Sequence, residues 1–440
     1  MTEVTGICSD LLRIDTTNDG ARGGPGERTA AEYVAGLLDG AGLEPEVFES
    51  APRRTSVVAR VPGDDPRGLL IHGHLDVVPA DPGEWRTHPF SGEVEDGCVH
   101  GRGAVDMKGT LSMTLALVRK WAREGRRPRR DIVLAFLADE EATGEYGAGY
   151  AVTRRPELFE GCTEAISESG GFSVTVPGGG DGGPARVYPV AVGERGTAWM
   201  KVTAHGVAGH GSKPPVDNPV AELARALARL AGHTWPVRIT PAVATLIDGL
   251  GKALGTTIDL DRLDAEAERL GRAGTLFKGV IRNSANPTMM NAGYKVNVIP
   301  GTAEAHIDGR ILPGHRDEFL ATIDELLGPK ITREFVTLEE GVASPTEGLF
   351  DDLCAALLAE DPAGRPVPYV MTGGTDAKSF ARLGIRGYGF APLMLDPSLD
   401  YFGMFHGVDE RVPVEGLEFG VRVLDRLLTG TPDPVTATTV

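Results

Sequence analysis

The chain turns on the stretch Gly68-Leu-Leu-Ile-His-Gly-His-Leu-Asp-Val-Val-Pro79. Leu69, Leu70 and Ile71 make a short apolar run of the kind that fills a buried strand, and it stops at His72, Gly73, His74 and Asp76. His74 and Asp76 are separated by one residue, so an extended backbone projects both from the same side of the strand end. A neutral imidazole suits Zn²⁺, and a neighbouring carboxylate holds its second ring nitrogen in the right tautomer. Polar residues that merely close a strand at the surface would account for one histidine. His-x-His-x-Asp directly after an apolar strand reads better as a site.

Two strand patterns downstream end the same way. Asp131 to Ala138 is a buried-strand pattern that runs into Asp139-Glu140-Glu141, adjacent acids that repel one another unless a cation or a proton compensates. Glu164 to Glu168 is a shorter one, finishing on a carboxylate. A solvated acidic turn explains one such cluster, but not three strand ends with the same habit. Ahead of both, Asp106 precedes a helix to Glu124 with Leu111, Leu115 and Val118 at helical spacing. An isolated aspartate there is an N-cap; the flanking glycines, which let backbone come close to a bound group, favour a ligand. Alternating helices and apolar strands with polar carboxyl ends are the pattern of an open α/β sheet, whose sites gather at those ends.

At 440 residues the chain is too long for one ordinary core, and the texture changes at Gly196. Thr197 to Ala204 alternates as a half-exposed strand, Asn218 to Ala231 and Leu260 to Gly271 read as helices, and strands are expected at Lys278 to Ser284 and Thr302 to Ile311. From Pro313 the α/β style resumes, with a helix over Arg316 to Leu327, a strand near Val367 to Met371, a helix over Thr375 to Leu383 and a closing helix over Val414 to Leu428. The expected organisation is α/β: a discontinuous catalytic domain with a central sheet flanked by helices (1–195 and 311–440), interrupted by an inserted α+β domain (196–310).

A formal net charge of −18 argues against a nucleic-acid or anionic-membrane partner, which it would repel. Met1 to Asp10 carries Glu3 and Asp10 without a basic segment before an apolar core, so no signal peptide is expected, and no apolar run approaches spanning length. Cys8, Cys98, Cys162 and Cys354 form no Cys-x-x-Cys pair, which fits a reducing cytoplasm.

With these residues in view, the chain resembles the co-catalytic zinc metallopeptidases and amidohydrolases: the aminoacylase, acetylornithine deacetylase, succinyl-diaminopimelate desuccinylase and carboxypeptidase G family. The resemblance spans nearly the full length and rests on the order of several motifs. These are His72 to Pro79, Gly101-Arg-Gly-Ala-Val-Asp-Met-Lys-Gly109, Asp139-Glu-Glu141, Gly209-His-Gly-Ser212, Asn297-Val-Ile-Pro300, Gly373-Gly-Thr-Asp-Ala377 and His406. It implies two Zn²⁺ ions, with Co²⁺ or Mn²⁺ as alternatives. His74 and Glu168 would hold one, Glu141 and His406 the other, and Asp106 would bridge them. It further implies that Asp76 orients His74, that Glu140 is the general base, and that His210 stabilises the oxyanion, often in the partner's site of a homodimer. Arg310 would grip a substrate carboxylate.

Gly373, Gly374 and Thr375, at a helix start, are candidates for holding a substrate anion, and Asn283 is a second-rank candidate near a strand end. Phe402, Met404 and Phe405 put apolar bulk beside His406 and hint at an apolar acyl pocket, while the stretch Trp235 to Lys278 looks long and helical for the family. The expected activity is hydrolysis of an amide bond next to a free carboxylate, in an N-acyl amino acid or a peptide. A biosynthetic deacylase of acetylornithine or succinyl-diaminopimelate type is the alternative, and a metal-binding relative without turnover a further one.

Overall fold

The computed structural model describes residues 1–20, 24–176, 178, 183–213 and 217–430. Twelve of its strands carry the architecture. They are β1 (Glu46–Ala51), β2 (Arg54–Val61), β3 (Asp65–His74), β4 (Arg130–Leu137), β5 (Cys162–Ser167), β6 (Ala185–Glu194), β7 (Gly196–His205), β8 (Ser284–Ala292), β9 (Thr302–Ile311), β10 (Ile331–Glu339), β11 (Arg365–Met371) and β12 (Arg386–Gly389). The large sheet runs β1-β2-β4-β3-β5-β12-β6, with β11 parallel to β6. β3 lies between β4 and β5 and is parallel to both, so the carboxyl ends of these three strands open side by side.

Both faces of the large sheet are covered, which explains its near-continuous apolar strands. Alternate residues divide between two cores. Leu69, Ile132, Leu134 and Ile166 pack with the helices Glu3–Arg13, Lys108–Glu124 and Val414–Thr429, while Leu70, Val133, Ala135 and Ala165 face Phe159 and Phe380. Leu111, Leu115 and Val118 are buried, as their spacing predicts, and the helix bearing them stops at Gly125, whose left-handed φ of 63° suits a residue without Cβ.

A second sheet, β8-β9-β7-β10, has its own core of Met200, Val202, Leu223, Ile307 and Phe319 beneath the helices Pro219–Ala231 and Arg316–Leu327. Asn218 caps the first of these, its side chain accepting from Val220 N. This sheet takes in β10, beyond the Arg310 boundary expected from sequence. The helices Pro241–Leu254, Leu263–Leu270 and Arg272–Lys278, although they lie within the expected insertion, pack into the large core instead. No strand forms at Lys278 to Ser284: Val280 and Ile281 are buried in a turn, and the strand begins at Ser284. No helix among the described residues is long and apolar enough to cross a membrane.

Candidate metal centre

His74 stands at the last position of β3, Glu140 and Glu141 just past the end of β4, and Glu168 just past β5. The sheet order therefore gathers residues from three separated motifs into one row. Gly73 makes room for the fourth: a Cβ there would meet Met107 Cε at 2.4 Å and Sδ at 2.6 Å. With glycine in place, Met107 Sδ sits 3.3 Å from His74 N and Asp106 lies over the strand end. Asp139, Ser169 and His406, all at or beside predicted site residues, hold positive φ of 67°, 66° and 58°. Non-glycine backbone in this region is uncommon and concentrates at functional loops.

Two groups with metal-ligand chemistry result, His74/Asp106/Glu168 and Asp106/Glu141/His406, each with its ligand atoms within 4.8 Å of one another. Asp106 belongs to both. Its Oδ1 is 3.1 Å from His74 Nε2 and its Oδ2 is 3.2 Å from His406 Nε2. Glu168 Oε2 is 3.7 Å from His74 Nε2, and Glu141 Oε2 is 3.1 Å from His406 Nε2.

The residues behind the ligands are as ordered as the ligands. His74 Nδ1 donates to the backbone oxygen of Asp76 at 2.9 Å, which leaves Nε2 toward Asp106. The Asp76 carboxylate, expected to orient His74, is 3.6 Å from Nδ1 and does other work. It accepts the backbone N–H groups of Glu140 at 3.2 Å and Glu141 at 3.1 Å, and Asn18 Nδ2 at 2.8 Å. Asn18 in turn accepts from Arg54, which pairs with the buried Glu27. On the other side, Glu410 Oε1 accepts the N–H groups of Val105 at 2.6 Å and Asp106 at 3.0 Å, while its Oε2 takes Arg102 at 2.8 Å. Asn18 and Glu410 were missed from sequence; each lies far along the chain from the residue it holds.

The first histidine of the motif is a core residue. His72 is buried against Phe380 at 4.6 Å, neither ring nitrogen has a hydrogen-bond partner among the described residues, and burial pushes its pKa down to about 3.

The charge balance of the site calls for cations. Burial, reinforced by Glu168, pushes Glu140 well above the usual carboxylate range; burial and Asp106 raise Glu168 to about 8; burial also raises Glu141. His406 is raised to about 10 by its hydrogen bonds to Asp106 and Glu141, and His74 is raised despite its burial because Glu168 and Asp106 face it. So many carboxylates cannot all ionise together without added positive charge. Among the described residues, Glu141 Oε1 is buried without a hydrogen-bond partner. Imidazole and carboxylate donors in this number fit divalent metal at both groups.

Asp106, Glu141, Glu168 and His406 line a cavity of about 320 Å³ together with Glu140, Ser169, Phe172, Met371 and Phe402, and His74 is buried behind its wall. Gly373, Gly374 and Thr375 line it too. The helix expected there is shorter, Ala377–Ala381, and Thr375 Oγ1 accepts Ala377 N at 3.2 Å. Three residues predicted to touch the substrate stand outside this cavity's wall. Arg310 is paired with Asp308 at 2.8 Å, Asn283 is buried and accepts Leu312 N at 2.8 Å, and His210 is exposed on the short strand Gly209–His210, its Nδ1 2.8 Å from Ser212 Oγ.

The model of peptidase family M20/M25/M40 matches residues 70–430. Among characterised relatives, an N-fatty-acyl-amino acid synthase/hydrolase of Xenopus tropicalis is 28% identical over 426 residues, covering 91% of this chain and 80% of the relative. Aminoacylase-1 of Sus scrofa is 28% identical over 409 residues, with 88% and 86% covered. The fold matches that of an M20 family metallo-carboxypeptidase from Sulfolobus solfataricus, with a TM-score of 0.70, 20% identity, and 97% and 98% of the two chains covered.

Proposed function

The chain belongs to peptidase family M20/M25/M40 and is a metal-dependent amide hydrolase; from that premise we propose that it releases free amino acids from N-acyl amino acids, using two zinc ions. The observation that carries this reading is the pair of ligand groups joined through Asp106, with Glu140 on the same cavity wall but in neither group. His74, Asp106 and Glu168 would hold one ion and Asp106, Glu141 and His406 the other, where the metals would supply Lewis acidity toward the amide carbonyl and toward water. Co²⁺ and Mn²⁺ accept the same donors.

The protein's own part begins with Glu140. Its carboxylate accepts the proton of the attacking water and returns it to the departing amine nitrogen, the work of a general base with a pKa raised by its surroundings. Asp76 fixes the backbone of Glu140 and Glu141 from below, so base and ligand keep their spacing. Arg310 lies on the second sheet and His210 on a separate two-stranded pairing of Gly209–His210 with Val298–Ile299, both outside the cavity wall. In this reading the former leaves Asp308 for the substrate carboxylate, and the latter serves the oxyanion of a partner's site. A homodimer is supported by the exposed edge of β8, where Met289 and Met290 are 64% and 55% exposed. The absence of disulfides among the described cysteines accords with a cytoplasmic enzyme.

Acyl amino acids are preferred to succinylated substrates because no Lys or Arg stands among the described residues of the metal cavity's own wall, and Arg272, in the wall of the adjoining space, already donates to Pro397 O. The test is turnover of a panel of N-acyl amino acids, N-succinyl amino acids and dipeptides, with chelator and with added zinc. Metal-dependent release of amino acid from the acyl series is expected; turnover of the succinyl series alone would replace this reading with the biosynthetic one.

A further inference from the structure

Beside the metal cavity lies a larger chamber of about 550 Å³, and the two share Phe172, Tyr369, Thr372 and Phe402 in their walls. Phe172 is buried, with Phe402 at 5.0 Å and Tyr401 at 4.8 Å between ring centroids. Phe402 itself is 40% exposed, a large apolar side chain left open at the junction of the two spaces. The far wall comes from Thr275 and Leu276 of the helix Arg272–Lys278.

We propose that this chamber is the acyl subsite, receiving an unbranched alkyl chain that extends from the amide carbon past Phe172 and Phe402. This rests on the reading of the chain as an N-acyl amino acid hydrolase. Five of the polar side chains in the chamber wall make hydrogen bonds within the protein. Arg272 donates to Pro397 O at 3.4 Å, Asp396 accepts Ser398 N at 2.8 Å, Asp400 accepts Gly403 N at 3.3 Å, Thr275 donates to Arg272 O at 2.7 Å and Ser173 accepts Leu395 N at 2.8 Å. Phe172, Leu276, Leu399, Tyr401 and Phe402 give the chamber the aromatic and aliphatic surface that an apolar ligand needs. Because the chamber is remote from the reacting bond, chain burial there adds binding energy without touching the chemistry.

The experiment measures kcat/KM for one amino acid carrying acyl chains from acetyl to hexadecanoyl, in the wild-type chain and in Thr275→Trp, which fills the chamber from its exposed rim. Calorimetric binding of free alkanoates of the same lengths is read in parallel, since it needs no turnover. Each added methylene should raise kcat/KM and alkanoate affinity by about fourfold until the chamber is full. In Thr275→Trp the rise should stop at a shorter chain. A flat response to length in both measurements overturns the subsite, and if acetyl substrates are still cleaved the hydrolase reading survives it. Length-dependent alkanoate binding, truncated in Thr275→Trp but without amide turnover, upholds the chamber and overturns the hydrolase reading. A preference for succinyl over butanoyl amino acids would show that the occupant is charged, and would also overturn the subsite.

Discussion

Glu410 gives the sharpest prediction about how the site is held. Its carboxylate is fully buried and meets two backbone N–H groups and one guanidinium, and its own backbone oxygen accepts Gly101 N at 2.9 Å. It stands four positions after His406, so one short segment carries a ligand of the second group and the clamp on the Asp106 backbone. Glu410→Ala leaves Arg102, buried over Trp85 at 5.1 Å, without its counter-ion. Breaking a buried pair in this way costs about 3–5 kcal/mol of stability. Loss of the clamp should also weaken metal binding by about 10- to 100-fold, the usual effect of removing a partner that orients ligands. Because Asp106 belongs to both groups, both ions should be affected. Glu410→Gln retains the shape and one acceptor oxygen but turns an amide NH₂ toward Arg102 or the backbone donors, so it should fall between the two. The assay pairs denaturant unfolding of the chelated chain with zinc affinity measured by competition against a chelating dye. If Glu410→Ala lowers stability yet binds both ions as tightly as wild type, the carboxylate only supports the fold and the positioning argument is wrong.

Further outcomes follow from the same geometry. Glu140→Gln should lower turnover by about 10²–10⁴-fold with bound metal unchanged by elemental analysis, and metal loss would mean that the base has been misassigned. Glu27 is raised from 4.5 to about 7 by burial and by Asp76, so between those values the folded chain keeps a proton that the unfolded chain has released. Its contribution to stability therefore falls as pH rises through that window, by at most about 3 kcal/mol. The difference in unfolding free energy between wild type and Glu27→Gln, measured at pH 5 and pH 7.5, should shift in wild type's disfavour at the higher pH; a constant difference contradicts the assignment. Separately inactive His210→Ala and Glu140→Gln chains should regain activity on mixing if His210 acts across a dimer, and no recovery from a mixture shown to exchange subunits counts against that role.

The row of ligands was legible because β3, β4 and β5 are apolar runs that end abruptly in chemistry, a local pattern that needs no tertiary information. The residues behind the row were not. Asn18 lies 58 positions from Asp76 and Glu410 lies 304 from Asp106, and no periodicity marks either. The smaller sheet was read less well for a related reason. β8 is an edge strand containing Pro287 and Asn286 and mostly exposed, so its sequence lacks a strand's apolar alternation, while the apolar pair Val280-Ile281 is buried in a turn and imitates one. The helix Pro241–Leu254 reads from sequence only as part of a helical stretch from Trp235 to Lys278, and its packing into the large core depends on contacts with β11 that no sequence window contains.

The central claim is that two metal ions, joined through Asp106, make this chain an amide hydrolase. The most direct test titrates zinc into the chelated protein while following both bound metal per chain and hydrolysis of an N-acyl amino acid. Turnover should be absent without metal and reach its plateau at two equivalents, with Asp106→Ala failing to reach two at the same zinc concentration. Full turnover after chelation, or a plateau at two equivalents in Asp106→Ala, would contradict the account.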